Sequence, residues 1–237
     1  MKHEFRFWAA RLADGVWELD AEELHHARKV LKLGRGEAIE LTNGKGWWAE
    51  ALFFWEDGRV VLRNLVERME AAVSPPLAIA VGALASGEMD ELLPPLVELG
   101  VDAIWVFRQE GGERARVNER SVARWERLLR AAVKQSKRAW APELRVLEGL
   151  DETLRHAREI GYAVWTLDQE GSTRLGQVPW DNRGILAIVG SERGFTTSEE
   201  ALLEREGVAL AVLGRFVLRA KTAVVSAAAV LASSRPG

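Results

Sequence analysis

The chain contains no cysteine, which excludes disulfides, thiolate metal ligands, cysteine nucleophiles and dithiol redox chemistry together. Its four histidines stand at positions 3, 25, 26 and 156, without an HExxH or related spacing, so no metal centre is expected. Long apolar runs are missing as well. The longest stretch, Ala223 to Ala232, is interrupted by Ser226 and falls short of the roughly 20 residues that span a bilayer. The first residues, Met1-Lys2-His3-Glu4-Phe5-Arg6, are charged and lead into no apolar segment, which argues against a secretory leader. A soluble cytoplasmic protein with no membrane partner is the expectation. Positive charge is not in excess either: 32 Lys+Arg face 35 Asp+Glu, a net of −3, so any site for a polyanion has to be a local patch. Three nucleotide and hydrolase motifs are also absent. Gly82-Ala83-Leu84-Ala85-Ser86-Gly87 has the glycine spacing of a P-loop but continues as Glu88-Met89 where Lys-Ser/Thr is required. No G-x-G-x-x-G follows a strand, and there is no G-x-S-x-G elbow.

What is present describes a folded chain. Of 237 residues, 48% are hydrophobic and 28% charged, enough apolar surface to bury a core and enough length for one large domain or two. Ten Trp accompany a single Tyr, and Arg outnumbers Lys 25 to 7. The planar guanidinium suits contacts with phosphate.

The pattern changes at Met69 to Pro76, where Pro75-Pro76 can continue neither a helix nor a central strand. Before it come short alternating runs at Phe5 to Trp8, Ala38 to Leu41, Trp47 to Trp55 and Arg59 to Leu62, separated by the hairpin signals Asn43-Gly44 and Asp57-Gly58. One helix is expected among them, from Asp20 as N-cap through Leu31, with Glu23 at the third position. This half, residues 1–72, reads as a small β-barrel. After the break, unbroken apolar strands at Leu77 to Ala83, Ala103 to Phe107, Tyr162 to Leu167, Ile185 to Val189 and Val208 to Leu213 alternate with helices. The helices are expected at Glu88 to Leu99, Glu119 to Arg138, Glu152 to Ile160, Ser198 to Glu206 and Thr222 to Ala232. Strands with no polar alternation are buried on both faces, so residues 73–237 read as an α/β domain with a parallel sheet.

Two stretches are rich in cations. Arg108 to Arg145 holds 11 Lys+Arg and 5 Asp+Glu, and His25 to Arg35 holds four cations, two His and no acid. In a net-negative chain, this pairing points to a phosphate-facing surface.

In an open α/β sheet ligands bind beyond the carboxyl ends of strands, and two such ends carry unusual sequence. Ile185-Leu186-Ala187-Ile188-Val189 leads into Gly190-Ser191-Glu192-Arg193-Gly194-Phe195, followed by Thr197 as an expected N-cap with Glu200 at its third position. Leu213-Gly214-Arg215-Phe216-Val217-Leu218-Arg219-Ala220-Lys221-Thr222-Ala223 leads into a helix of Ala, Ser and Val. Glycine lets backbone approach a ligand closely, and small residues on every face imply a closely packed helix.

In this order the two motifs resemble the RsmE family of knotted (SPOUT) methyltransferases, which methylate N3 of a uridine in 16S ribosomal RNA. The similarity extends to Val97-Glu98-Leu99-Gly100-Val101, to Ala132 through Pro142 with Gln135, Ser136 and Arg138, and to His25-His26, Val30-Leu31-Lys32 and Gly34 to Gly46, which resemble the family's PUA-like barrel. The resemblance implies S-adenosylmethionine held by three loops, with Leu167, Gly190, Ser191, Glu192, Gly194, Leu213, Gly214, Phe216 and Leu218 around it. It implies 16S ribosomal RNA of the small subunit as partner, with His25, Arg28, Lys29, Lys32, Gln135, Ser136 and Arg138 facing RNA, and a homodimer. Transfer to uridine N3 requires loss of a proton and in-line approach to a sulfonium methyl; Arg219 can stabilise the uracil anion, and Glu192 can accept a proton or orient the cofactor. Departures from the family pattern are Arg193 and Ser191 within the usual Gly-Pro-Glu-Gly-Gly, Lys221 in place of Glu, Pro94-Pro95 in place of Gln-Lys, and Ala131 in place of Glu. They leave open an RNA-binding member that has lost methyl transfer, and a transfer RNA substrate is a further alternative.

Overall fold

The computed structural model describes residues 5–109 and 117–236; Arg114 and Arg116 of the long cationic stretch, and the charged residues 1–4, lie outside them. By compactness the chain divides into Met1–Ala72 with Arg130–Ala141, and Val73–Leu129 with Pro142–Gly237. Among the described residues no helix is long and apolar enough to cross a membrane.

In the first unit, five strands form one curled sheet in the order β2-β1-β3-β4-β5: β1 (Phe5–Arg11), β2 (Trp17–Leu19), β3 (Glu37–Thr42), β4 (Trp47–Glu56) and β5 (Arg59–Met69). The alternation seen in the sequence sends Phe7, Ala9, Ile39, Leu41, Ala49, Ala51 and Phe53 inward to a core shared with Trp17 and Ala27. The outer strands β2 and β5 are joined at one end by side chains. Glu67 accepts from Arg11 Nε at 2.9 Å and Nη2 at 3.0 Å, and from the indole N–H of Trp17.

Arg130–Ala141 packs into this unit rather than with the second half of the chain. Gly46 N donates to Ala139 O at 2.9 Å, Ala141 N to Gly44 O at 2.9 Å, and Trp140 Nε1 to Glu70 O at 2.8 Å. Lys137 Nζ meets the buried Glu40 at 2.9 Å, and Lys134 meets the buried Glu23.

The second unit is built on a wholly parallel seven-stranded sheet. Its strands are β6 (Leu77–Gly82), β7 (Ala103–Phe107), β8 (Glu143–Leu147), β9 (Ala163–Leu167), β10 (Thr173–Arg174), β11 (Ile185–Val189) and β12 (Ala209–Val212), in the order β10-β12-β9-β11-β6-β7-β8. Every residue of β6, β7 and β11 is buried, as unbroken apolar runs require. On one face, Leu150, Leu154 and Ala157 of α4 (Leu150–Ile160) and Leu203 of α5 (Thr197–Arg205) join Trp105, Phe107, Leu186 and Ile188. The other is covered by α6 (Ala220–Ser234), which packs on β6, β11 and α2 (Ser86–Glu98). Strands β6 to β8 step outward in chain order; β9 then starts beyond a vacant place that β11 fills. That reversal is where an α/β sheet opens a crevice at its carboxyl edge.

Several boundaries differ from expectation, each for a local reason. The helix expected to run through Leu31 is α-helical only over Ala21–His25 (α1), then widens to a π-helical turn at His26–Val30. α3 (Glu119–Gln135) stops short of Arg138 because Lys137 adopts a left-handed backbone, φ 57°. The N-cap of α5 is Thr196, not Thr197: its hydroxyl accepts from Glu199 N, and Glu199, not Glu200, returns a bond to Thr196 N at 2.8 Å. α6 begins at Ala220, two residues ahead of Thr222, with Arg219 as its N-cap. Strands β2, β8 and β10 were not anticipated; they are short or half exposed and lack a buried apolar run.

Candidate active site

The carboxyl ends of β9, β11 and β12 open onto a cleft of about 650 Å³ in the second unit. Each strand contributes the segment that follows it. β9 delivers Leu167, Asp168 and Gln169; β11 delivers Gly190, Ser191, Glu192, Gly194 and Phe195; β12 delivers Leu213, Val217, Leu218 and Arg219. Glu88 from α2 and Glu200 from α5 complete the polar lining. Of the residues singled out in the sequence for a cofactor, Gly214 and Phe216 do not line this cleft. Gly214 faces a smaller groove with Arg174 and Arg215, and Phe216 is 66% exposed beneath the Arg215 guanidinium.

The β11 loop is rigidly held. Gly194 N donates to Ser191 O at 2.9 Å, closing a tight turn, and a Cβ on Gly190 would sit 2.9 Å from the Gly194 carbonyl carbon. Behind the turn lies Gln109, two residues past β7 and 3% exposed. Its Oε1 accepts from Ser191 N at 2.6 Å, while its Nε2 donates to Glu199 Oε2 at 2.8 Å and Gly194 O at 3.2 Å. A single buried amide thus ties the loop to the start of α5, with all its polar atoms satisfied. Only glycine fits at position 82, where a Cβ would lie 2.1 Å from Gln109 Oε1. The sequence reading missed Gln109; its position just beyond an all-apolar strand was the available signal.

In front of the turn, Glu192 Oε1 accepts from Ala85 N at 3.0 Å. Burial opposes its charge, but the Ala85 and Glu192 N–H groups, the Glu88 carboxyl and the Arg193 cation outweigh that and hold Glu192 below the usual carboxylate range. Its partner Glu88 is pushed the other way, by the hydrogen bond with Glu192 first, then by burial and by the Glu192 charge. The two carboxyls at the cleft therefore differ in acidity, and Glu88 is the later of the pair to ionise as pH rises. The Arg219 guanidinium has no acid partner among the described residues. Beside it, Lys221 is ion-paired with Glu91 of α2. The cleft accordingly offers carboxylates at Asp168, Glu192 and Glu200, one unpaired cation, and apolar walls from Leu167, Leu213 and Leu218.

The seven residues expected to face RNA all fall in the first unit, but the two cationic stretches differ. In the longer one, Arg124 pairs with Asp90, Lys134 with Glu23, Lys137 with Glu40, Arg145 with Glu143, and Arg108 bonds Val117 O at 2.9 Å. Ser136 Oγ is turned back onto Ala132 O at 2.8 Å, while Gln135 is exposed. Arg28, Lys29 and Lys32 are exposed and have no acid partner among the described residues. His25 is also exposed, at the end of α1.

Comparison with known proteins agrees with this architecture. Residues 72–232 match the RNA methyltransferase domain family, and residues 19–51 the RNA methyltransferase PUA domain family. The chain is 31% identical over 234 residues to the ribosomal RNA small subunit methyltransferase E of Mycobacterium bovis, spanning 93% of this chain and 88% of that one. It is 26% identical to the protein of the same name from Synechocystis sp., over 90% and 71% of the two chains. The crystal structure of the Neisseria gonorrhoeae ribosomal RNA small subunit methyltransferase E, bound to S-adenosyl methionine, superposes with a TM-score of 0.80 at 26% identity, covering 98% of both chains. The chain belongs to the ribosomal RNA small subunit methyltransferase E family.

Proposed function

We propose that this chain transfers a methyl group from S-adenosylmethionine to N3 of a uridine in 16S ribosomal RNA of the small ribosomal subunit. The observation that carries the reading is the chemistry of the cleft: acid-lined walls suited to a cationic cofactor, set beside one unpaired guanidinium. The residues present fit S-adenosylmethionine. Gly190 and Gly194 put bare backbone at the wall, Leu167, Leu213 and Leu218 supply apolar surface for a flat ring, and Asp168, Glu192 and Glu200 favour positive charge. The cofactor supplies a methyl group on a sulfonium, an electrophile that leaves as a neutral thioether.

The protein's own part is positioning and electrostatics. Uracil N3 becomes nucleophilic on losing its proton, and Arg219 at the start of α6 stabilises the resulting anion through the ring oxygens. The Glu88–Glu192 pair provides carboxyl groups that orient the cofactor and take up the N3 proton. The N3–H bond breaks, the N3–CH3 bond forms and the S–CH3 bond breaks, so charge and atoms balance without a further reactant.

Lys221, a departure that had left loss of activity open, is matched by Glu91 one helical turn before Pro95. An ion pair thus joins α2 to α6 at the position of the exchange, which supports retained catalysis. The small-residue helix α6, packed on α2, β6 and β11, supports the threaded, knotted passage implied by the family resemblance. A homodimer is also proposed, supported by Phe216 and Val217, which are 66% and 84% exposed; light scattering should give twice the 26.3 kDa chain mass, and a monomer mass would overturn it. Calorimetric titration with S-adenosylmethionine tests the enzyme reading, which predicts saturable binding. No heat at millimolar cofactor would sink it.

A further inference from the structure

The curled sheet of the first unit leaves a seam. Its end strands β2 and β5 are joined through Glu67, Arg11 and Trp17, and beyond that junction they part around a groove of about 610 Å³. Trp17, Leu19, Leu24, Trp55 and Leu62 form its apolar lining, with Arg59 and Glu18 as the charged residues. Trp55 is 36% exposed, and the Arg28 guanidinium lies 4.7 Å from its ring centroid.

The widened turn at His26–Val30 brings Arg28 to this edge with Lys29 beside it, and Lys32 follows in a left-handed backbone, φ 52°. A π-helical turn and a non-glycine residue at positive φ are each costly, and such features concentrate where a site needs them. These three cations lack acid partners among the described residues, whereas those at Lys134 and Lys137 are consumed by buried glutamates. Trp55 therefore joins an aromatic, apolar groove to the Arg28 guanidinium, with Lys29 and Lys32 close to it along the chain. The matching ligand has a flat apolar face and an anionic tail. A duplex keeps its base faces stacked inside; an unpaired nucleotide offers both parts.

We propose that this groove is a base-stacking subsite for a single-stranded nucleotide of RNA, with the base on Trp55 and the adjoining phosphates on Arg28, Lys29 and Lys32. The inference rests on the RNA-modifying reading above and adds the place and the strandedness of a contact outside the methyl-transfer cleft.

The full chain is titrated against a labelled, unstructured RNA oligonucleotide and against an RNA duplex of equal length, by fluorescence anisotropy. Stacking is worth about 1–3 kcal/mol per base, so Trp55→Ala should weaken single-strand binding by roughly 5- to 150-fold, with Trp55→Phe restoring it to within about threefold of wild type. Duplex affinity should change less than about twofold in either variant. The proposal is overturned if Trp55→Ala binds single strands as wild type does, if duplex binding falls equally, or if Trp55→Phe is as impaired as Trp55→Ala in a chain that melts normally. Wild-type chain that binds neither RNA would instead overturn the function proposed above.

Discussion

The opposite shifts of Glu88 and Glu192 give the cleft a pH-dependent charge. Glu88, raised by its partner, keeps its proton beyond the ordinary carboxylate range. Its contribution to folding is complete below that range and fades as pH climbs through the raised value; Glu192, held low, contributes above the ordinary range and loses its contribution as pH falls through its own value. The cleft gains one negative charge when Glu88 ionises, so affinity for a cationic cofactor should rise with pH across that step. Calorimetry over a pH series should show the step in the native chain and none in Glu88→Gln; an identical step in both would assign it to another group. On the proposed role of Arg219 toward the uracil anion, Arg219→Ala should lower turnover by tenfold or more while changing cofactor affinity less than about threefold. The reverse pattern in steady-state kinetics would place Arg219 on the cofactor. Gln109→Leu strands the Ser191 N–H and removes a donor from Glu199, a buried loss of about 1–3 kcal/mol, and urea unfolding should show it together with weakened cofactor binding. The placement of Glu192 and Arg219 at the cleft was legible in the sequence because they sit inside glycine-marked motifs. Gln109 and Glu88 were not, since their importance comes from neighbours more than 80 and 100 positions away.

At the level of elements, the apolar strands were readable because total burial leaves an unmistakable run, as in Ile185-Leu186-Ala187-Ile188-Val189. The edge strand β8 hides its nature by presenting Glu143 and Arg145 to solvent, and no local pattern separates α-helical from π-helical hydrogen bonding at His26–Val30. The cap of α5 moved by one residue because Glu199 is engaged by Gln109 as well as by Thr196, a tertiary choice between two adjacent threonines. α2 carries Pro94 and Pro95 within its span and so lacks two backbone donors, while its Glu91 side chain holds Lys221 of α6. Both partners are substantially exposed, so Lys221→Glu should cost less than about 1 kcal/mol in stability. Its larger effect should fall on turnover, several-fold down through displacement of the start of α6. The double exchange Glu91→Lys with Lys221→Glu should restore turnover; failure to restore it would show that the pair does not position Arg219.

For the whole molecule, the net charge of −3 conceals an uneven allocation. Many cations of the longer basic stretch are held in ion pairs, whereas in the shorter one Arg35 pairs with Glu56 and Arg28, Lys29 and Lys32 have no acid partner among the described residues. Neutralising Lys29 and Lys32 to Gln should therefore lower the salt dependence of single-strand RNA binding by about 0.7 per cation removed without shifting the melting temperature. Lys137→Gln should do the opposite, destabilising the chain through the buried Glu40 it leaves with Arg6 alone. Beyond these tests stands the activity itself. Small ribosomal subunits from cells lacking this chain, incubated with it and S-adenosylmethionine, are digested and their RNA mapped by mass spectrometry. The account predicts a single new N3-methyluridine in 16S ribosomal RNA, lost with Arg219→Ala; an unmethylated map from protein that binds the cofactor, or a methyl group on another base, would contradict it.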